Sequence, residues 1–250
     1  MKKALILGIN GKMGNTLCRL LQDDGEMQAV CGVDLHAKDG LPPVYASFND
    51  VKETPDVIID FSSPAVLKSE LSYAKAHNVP VVLAATGYSE DDLKEIENAA
   101  KSVAVFKTGN FSLGINLLTK LVKKAAETLG ENFDIEIIER HHNRKVDAPS
   151  GTALMLAESA NSAFGNEKPY VNGRSGICGK RGNEIGVHAV RGGTIVGEHE
   201  VSFAGEDEII TLSHSARSKS VFAAGAIRAA KWLCGKPAGK YEMDDLLKNI

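Results

Sequence analysis

Residues 137–157 read IIERHHNRKVDAPSGTALMLA and gather two adjacent histidines, an arginine, a lysine and an aspartate directly before Pro-Ser-Gly-Thr. An imidazole changes charge near neutral pH, so His141 or His142 can deliver a proton where an arriving hydride leaves negative charge to be neutralised. The other histidine would then bind a carboxylate. Lys145 carries three N–H donors and no acceptor, which makes a carboxylate its natural counterpart. Asp147 either orients that lysine or caps the turn. Ser150, Gly151 and Thr152 open a helical pattern, where hydroxyls and unpaired N–H groups form a second anion site. Together these groups point to a small dianionic acid as one reactant.

A hydride needs a carrier, and the start of the chain supplies the pattern for one. In LGINGKMG, Gly8, Gly11 and Gly14 fall between the first apolar run and the first helical pattern. Backbone N–H groups and the positive end of the helix can face a pyrophosphate there. The spacing is G-x-x-G-x-x-G; the usual fingerprint is G-x-G-x-x-G, and Asn10 stands where its second glycine would. Asp34 ends the second apolar run, placed to accept hydrogen bonds from the adenosine ribose hydroxyls. A carboxylate at that point repels a 2′-phosphate and argues for NAD(H), while His36 and Lys38 just beyond it could balance the phosphate of NADP(H). The expected cofactor is therefore NADH or NADPH. Thr86 and Gly87 end the fourth strand, either as a cofactor loop at the carboxyl edge or as an ordinary turn.

The elements that must hold these groups can be read from periodicity. Apolar runs at 4–8, 28–34, 56–61, 80–86 and 103–108 read as short buried strands. Met13, Leu17, Leu20 and Leu21 lie at helical spacing, as do Val66, Leu67, Leu71 and Ala74 after Pro64. Ser89 before EDDLKEIENAA is an N-cap with acids in the first turn. This alternation implies an α/β fold, a Rossmann-like doubly wound parallel sheet with right-handed crossovers. After a helix at 115–129 the pattern changes. FDIEIIE alternates apolar and acidic residues, the mark of a sheet with one solvated face. Residues 184–216 continue with antiparallel-looking strands and glycine turns, and a helix at 152–164 interrupts the run before Gly165. We expect a dinucleotide-binding domain at 1–112 and 220–250, and a second α+β domain with a mixed open sheet at 113–219. The latter would bind substrate. Residues 172–186 are glycine-rich and expected to form a mobile loop.

Other classes are disfavoured. The net charge of −3, from 29 Lys+Arg against 32 Asp+Glu, leaves no basic field for nucleic acid. Cys18, Cys31, Cys178 and Cys234 form no C-x-x-C pair and read as reduced thiols. His141, His142, His188, His199 and His214 could converge, but no metal-ligand spacing such as H-E-x-x-H is present, so no metal is expected. Glu139 and Glu198, each near a histidine, are expected to be solvated or structural partners. No apolar stretch approaches the ~18 residues of a membrane span, and the opening KKALILGING turns to glycine too early for a secretory leader. We expect no membrane partner and a cytoplasmic location. Two other readings stay open: a regulator sensing redox poise through the first domain, and an oxidoreductase acting on a different small amino or keto acid.

The block ERHHNRKVDAPSGTA, residues 139–153, closely resembles the signature of bacterial dihydrodipicolinate reductase, E-x-H-H-x-x-K-x-D-x-P-S-G-T. GINGKMG, GNFSLGIN (109–116), RGGTIVGEHEV (191–201) and FAAGAIRAAKWL (222–233) extend the resemblance over essentially the whole chain. The resemblance implies reduction of 4-hydroxy-tetrahydrodipicolinate to tetrahydrodipicolinate in lysine and diaminopimelate biosynthesis. It makes His141 the proton donor, with Lys145 assisting it or binding carboxylate, and gives the two carboxylates to His142, Ser150, Gly151 and Thr152. It places Gly8, Asn10, Gly11, Lys12, Met13, Gly14, Asp34, Ala85, Thr86 and Gly87 on the cofactor, Asn110 and Phe111 near the nicotinamide, and associates the family as a homotetramer through the second domain's sheet. Two departures stand out: Ala84 and Ala85 replace the first two residues of the family's frequent G-T-T-G, and Lys219 stands where the family often has arginine. The two-domain layout further implies closure over the substrate, with hinges near Ser112 and Ser220.

Overall fold

Elements follow one another as β1 (Lys2–Leu7), α1 (Lys12–Gln22), β2 (Met27–Val33), β3 (Val44–Tyr45), β4 (Val57–Asp60), α2 (Leu67–His77), β5 (Val81–Leu83), α3 (Glu90–Ala100) and β6 (Ala104–Lys107). Then come α4 (Leu113–Leu129), β7 (Asp134–His141), α5 (Gly151–Asn161), β8 (Tyr170–Asn172), β9 (Ile185–Arg191), β10 (Gly197–Ala204), β11 (Ile209–Ala216), α6 (Ser220–Leu233), β12 (Gly239–Tyr241) and α7 (Met243–Leu247). This computed structural model describes residues 1–37, 40 and 42–248. Lys38, put forward above as a counter-charge to a 2′-phosphate, lies outside the described residues. The chain divides into two units, one of Met1–Phe111 with Ser220–Ile250 and one of Ser112–Lys219.

In the first unit the strands form one parallel sheet in the order β12-β6-β5-β4-β1-β2-β3. Successive side chains of a strand point to opposite faces. Leu5, Leu7, Ile58, Val81, Leu83 and Val105 form one cluster with Leu67, Leu71 and Ala74 of α2 and Ile96 and Ala99 of α3. The alternate residues Ala4, Ile6, Ile59, Val82 and Phe106 are also buried. Helices α1 and α6 pack on the sheet as well, α1 on β1 and β2, α6 on β4, β5 and β6. Two buried faces explain why these strands read as unbroken apolar runs. Each large aliphatic side chain so buried contributes roughly 1.5–3 kcal/mol. Ser89 closes a full capping box with Asp92 at the start of α3, worth about 1 kcal/mol. Pro64 opens a 3-10 turn, Pro64–Val66, and the α-helix proper begins at Leu67.

The second unit has the mixed sheet β11-β10-β7-β9-β8. Ile135 and Ile137 of β7, Ile185 and Val187 of β9, and Val201 and Phe203 of β10 point inward onto α4 and α5, through Ile115, Leu118 and Val122 on the one and Leu156, Ala157 and Ala160 on the other. One expectation needs correction here. Strand β9 is not the hydrogen-bonded neighbour of β10, although the two run in opposite directions; it pairs in parallel with β7, which lies between them. Alternation reports which face is buried and is silent on strand direction. The glycine-rich stretch 173–184 has no regular structure, and it is anchored where a mobile loop was expected. Arg174 reaches Glu136 and Glu184 at 2.9 Å each, and Arg181 reaches Glu136 at 3.1 Å and Asp134 at 2.9 Å.

Candidate active site

The register of three strands builds the site in the second unit. The inward row of β7 runs Ile135, Ile137, Glu139, His141, so beyond the apolar core the same face turns polar. His199 of β10 lies opposite Glu139, and Arg191 of β9 lies opposite His141. All four residues therefore meet at one end of the sheet.

Glu139 is the hub of that meeting and is fully buried. Its Oε2 lies 2.6 Å from His141 Nδ1 and accepts from Arg191 Nη1 at 2.7 Å. Its Oε1 accepts from Arg191 Nη2 at 2.8 Å and from the Ser150 N–H at 2.9 Å. Burial pushes the Glu139 carboxyl up, but the Arg191 fork, His141 and the Ser150 N–H together outweigh it and hold it below the usual carboxylate range. The second Arg191 nitrogen also donates to the Asp147 carbonyl at 2.7 Å. A buried charge pair satisfied in this way is costly to break from one side, by about 3–5 kcal/mol.

Ser150 begins α5 with extended backbone, and its Oγ accepts the Ala153 N–H at 3.2 Å. The same Oγ lies 3.1 Å from His199 Nε2, and Ser150 is 2% exposed. Its hydroxyl thus holds the start of α5 in shape, the end of a helix at which backbone N–H groups point outward. The His199 imidazole, buried and beside His141, is pushed down to about 4 and is neutral at pH 7. Burial first, then the charges of Arg144 and Lys219, lower His142. Lys145 Nζ sits 2.8 Å from both carboxylate oxygens of Asp147, which orients the ammonium as one of the two readings of Asp147 requires. His141 and Lys145 are thereby joined through Glu139, Arg191 and Asp147. Among the described residues no group of three or more His, Cys, Asp or Glu is placed to hold a metal ion.

The nucleotide-type pattern in the first unit has the shape its glycines demand. Gly8 has a φ of +75°, and a Cβ on Gly14 would lie 2.3 Å from the Gly8 carbonyl oxygen, so α1 packs directly on the preceding turn. Gly11 is the N-cap of α1 and brings no side-chain hydrogen bond, leaving the first-turn N–H groups to another partner. Asp34 accepts the Asn10 N–H at 3.1 Å and the His36 N–H at 3.0 Å, and the Asn10 side chain donates to the His36 carbonyl at 2.7 Å. A cavity of about 440 Å³ opens here, with Gly8, Gly11, Asp34, Ser62, Ser63 and Val66 in its wall. Asp60 shapes that wall by accepting from the Ser62 N–H at 2.6 Å and the Ser62 hydroxyl at 2.5 Å. An uncapped helix start, a close-packed glycine turn and a carboxylate at the end of β2 fit a dinucleotide.

The remaining predicted residues are placed as follows. Lys12 is exposed and Met13 half-buried in the first turn of α1. Ala85 is half-buried, Thr86 exposed, and Gly87 takes a φ of +84° in the connection from β5 to α3. The Asn110 N–H and carbonyl both meet the Thr108 hydroxyl. Phe111 is 5% exposed, with its ring 6.0 Å from Phe106 and 6.1 Å from Phe61, so it serves the core through its side chain. Sequence reasoning set Glu139 aside as a solvated or structural partner and gave Arg191 no role. The available signal was position: Glu139 continues the inward period of β7, where a charge requires a partner.

Known proteins give a consistent picture. A family model described as "Dihydrodipicolinate reductase, N-terminus" matches residues 2–111, and one described as "Dihydrodipicolinate reductase, C-terminus" matches residues 114–247. The "4-hydroxy-tetrahydrodipicolinate reductase" of Caldanaerobacter subterraneus subsp. tengcongensis is 50% identical, with 99% of each chain covered. That of Clostridium novyi is 45% identical over 100% of this chain and 99% of its own. A solved dipicolinate-bound dihydrodipicolinate reductase from Paenisporosarcina sp. TG-14 shares the fold, with a TM-score of 0.80 at 24% identity over 97% of each chain.

Proposed function

The chain belongs to the dihydrodipicolinate reductase family, and on that premise we propose that it reduces 4-hydroxy-tetrahydrodipicolinate to tetrahydrodipicolinate with NADH or NADPH. Substrate and product differ by one hydroxyl oxygen, so one hydride and one proton enter and one water leaves. Bound at the first unit, the reduced nicotinamide supplies the hydride. The start of α1 holds the pyrophosphate and Asp34 the ribose hydroxyls, with Asn10, Lys12, Met13 and the connections at 85–87 and 110–111 completing the cofactor site. In the second unit the Gly151 and Thr152 N–H groups, shaped by Ser150, take one carboxylate, and Lys145 and His142 take the other. His141 gives the proton from Nε2, its other nitrogen being committed to Glu139.

The observation that carries this reading is the histidine held by buried Glu139 beside an anion-binding helix start, both anchored to one carboxylate. Hydride transfer requires the two reactants to touch, so the chain crossings at Phe111/Ser112 and Lys219/Ser220 are proposed as hinges. A cytoplasmic homotetramer in lysine and diaminopimelate biosynthesis is part of the same proposal; supporting it, Val190 and Ile209 of the five-stranded sheet are exposed.

The test supplies freshly condensed substrate from a coupled synthase and follows loss of reduced-nicotinamide absorbance. Turnover is expected, with His141→Gln slower by ~10²-fold or more, the scale of general acid catalysis. Absence of turnover with both NADH and NADPH would refute the reading.

A further inference from the structure

We infer that Glu139 and Arg191 are positioning residues that fix both which nitrogen of His141 reacts and how far it stands from the anion site. The inference rests on the proton-donor role proposed for His141. One carboxylate does both tasks through its two oxygens: Oε2 takes His141 Nδ1 at 2.6 Å, and Oε1 takes the Ser150 N–H at 2.9 Å. A carboxylate is acceptor-only, so the Nδ1 it contacts must carry hydrogen, and Nε2 is left as the nitrogen that gains and loses the catalytic proton. Ser150 is the N-cap of α5, so the helix start proposed to receive a substrate carboxylate is tied to His141 through this single carboxyl group.

Arg191 makes this arrangement compatible with a dianionic substrate. A lone buried carboxylate beside the anion site would repel the ligand and would itself be costly to desolvate. The guanidinium covers both oxygens in a fork, at 2.7 and 2.8 Å, and its further bond to the Asp147 carbonyl ties the Lys145–Asp147 pair to the same hub.

The charged and titratable groups around His141 come from several elements: Glu139 on its own strand with His142 just past the strand's end, Arg191 on β9, His199 on β10 with His214 of β11 opposite it, and Lys145 and Asp147 in the connection to α5. Among these, Glu139 is the carboxylate in direct contact with the ring.

The test combines nitrogen NMR of histidine-labelled protein with kinetics. In the wild-type chain, the neutral form of His141 should carry its proton on Nδ1 with Nε2 unprotonated. In Glu139→Gln the tautomer should shift toward Nε2–H, kcat should fall by about 10- to 100-fold, and KM should change less than kcat. Arg191→Lys, which keeps a cation and loses the fork, should mainly raise KM for the dicarboxylate and supplies the comparison if Glu139→Gln does not fold. A wild-type His141 protonated on Nε2 alone overturns the inference without any variant. So does a folded Glu139→Gln with the wild-type tautomer and kcat. The NMR result is read without turnover, so it stands apart from failure of the proposed reaction.

Discussion

Replacing Gly14 with alanine tests the nucleotide half of the account with one methyl group. A Cβ at that position falls 2.3 Å from the Gly8 carbonyl oxygen and 2.5 Å from Ile9 Cα and its carbonyl oxygen. These are backbone atoms, so no side chain can swing aside, and α1 must back away from the turn by roughly 1 Å to reach ordinary contact. Overpacking of this kind costs about 1–3 kcal/mol. At roughly 2–4 °C per kcal/mol, the melting temperature should fall by several degrees. The same shift withdraws the first-turn N–H groups from the pyrophosphate. A hydrogen bond to a charged group is worth about 1.5–3 kcal/mol, so losing the equivalent of one weakens cofactor affinity by about 10- to 100-fold. Fluorescence titration with NADH and with NADPH, beside a thermal melt, measures both effects. A folded Gly14→Ala that binds both dinucleotides as tightly as the wild type would refute the reasoning.

Lys145, held between both Asp147 oxygens, is expected to act as a carboxylate clamp. Steady-state kinetics of Lys145→Ala should show KM raised by about 10-fold or more with kcat within a few-fold; a collapse of kcat at unchanged KM would instead make it a proton donor. Glu136 anchors the loop at 173–184, and although burial pushes its carboxyl up, Arg174, His188 and Arg181 outweigh burial and lower it to about 2. Because the folded value lies below the unfolded one, this stabilisation is present above about pH 4.5 and is lost as pH falls toward 2. With a side chain 25% exposed, its worth is on the order of 2 kcal/mol. Glu136→Gln should melt several degrees below the wild type at pH 7, with the gap narrowing as pH falls from about 4.5 toward 2; a gap independent of pH would show that the charge is not what holds the loop.

Legibility in the sequence followed signal length. The parallel sheet of the first unit showed because strands buried on both faces make unbroken apolar runs, and the start of α3 showed because Ser89 and Asp92 form a box visible in four letters. Strands β3, β8 and β12, of two or three residues each, are too short to carry a period and went unread. The parallel pairing of β9 with β7 was invisible because alternation is the same in parallel and antiparallel pairing. In the site, histidines, lysine and the helix start were legible from residue type and spacing. The hub was not. Glu139 was read only as a solvated or structural partner near a histidine, and Arg191 lies 52 residues away, so their pairing exists only once β7 and β9 are in register. Ser150 was legible as a helix start, but the burial of its hydroxyl against His199 depends on β10 and could not be read from the block itself.

The central claim is that a nicotinamide hydride enters a dicarboxylate ring as a hydroxyl leaves. The most direct measurement uses NADH deuterated at the transferring position with freshly condensed 4-hydroxy-tetrahydrodipicolinate, and weighs the product by mass spectrometry. The account predicts tetrahydrodipicolinate bearing one deuterium on the ring, formed in step with oxidised nicotinamide. Oxidised nicotinamide with no label in the ring, or a labelled product that keeps its hydroxyl, would contradict it.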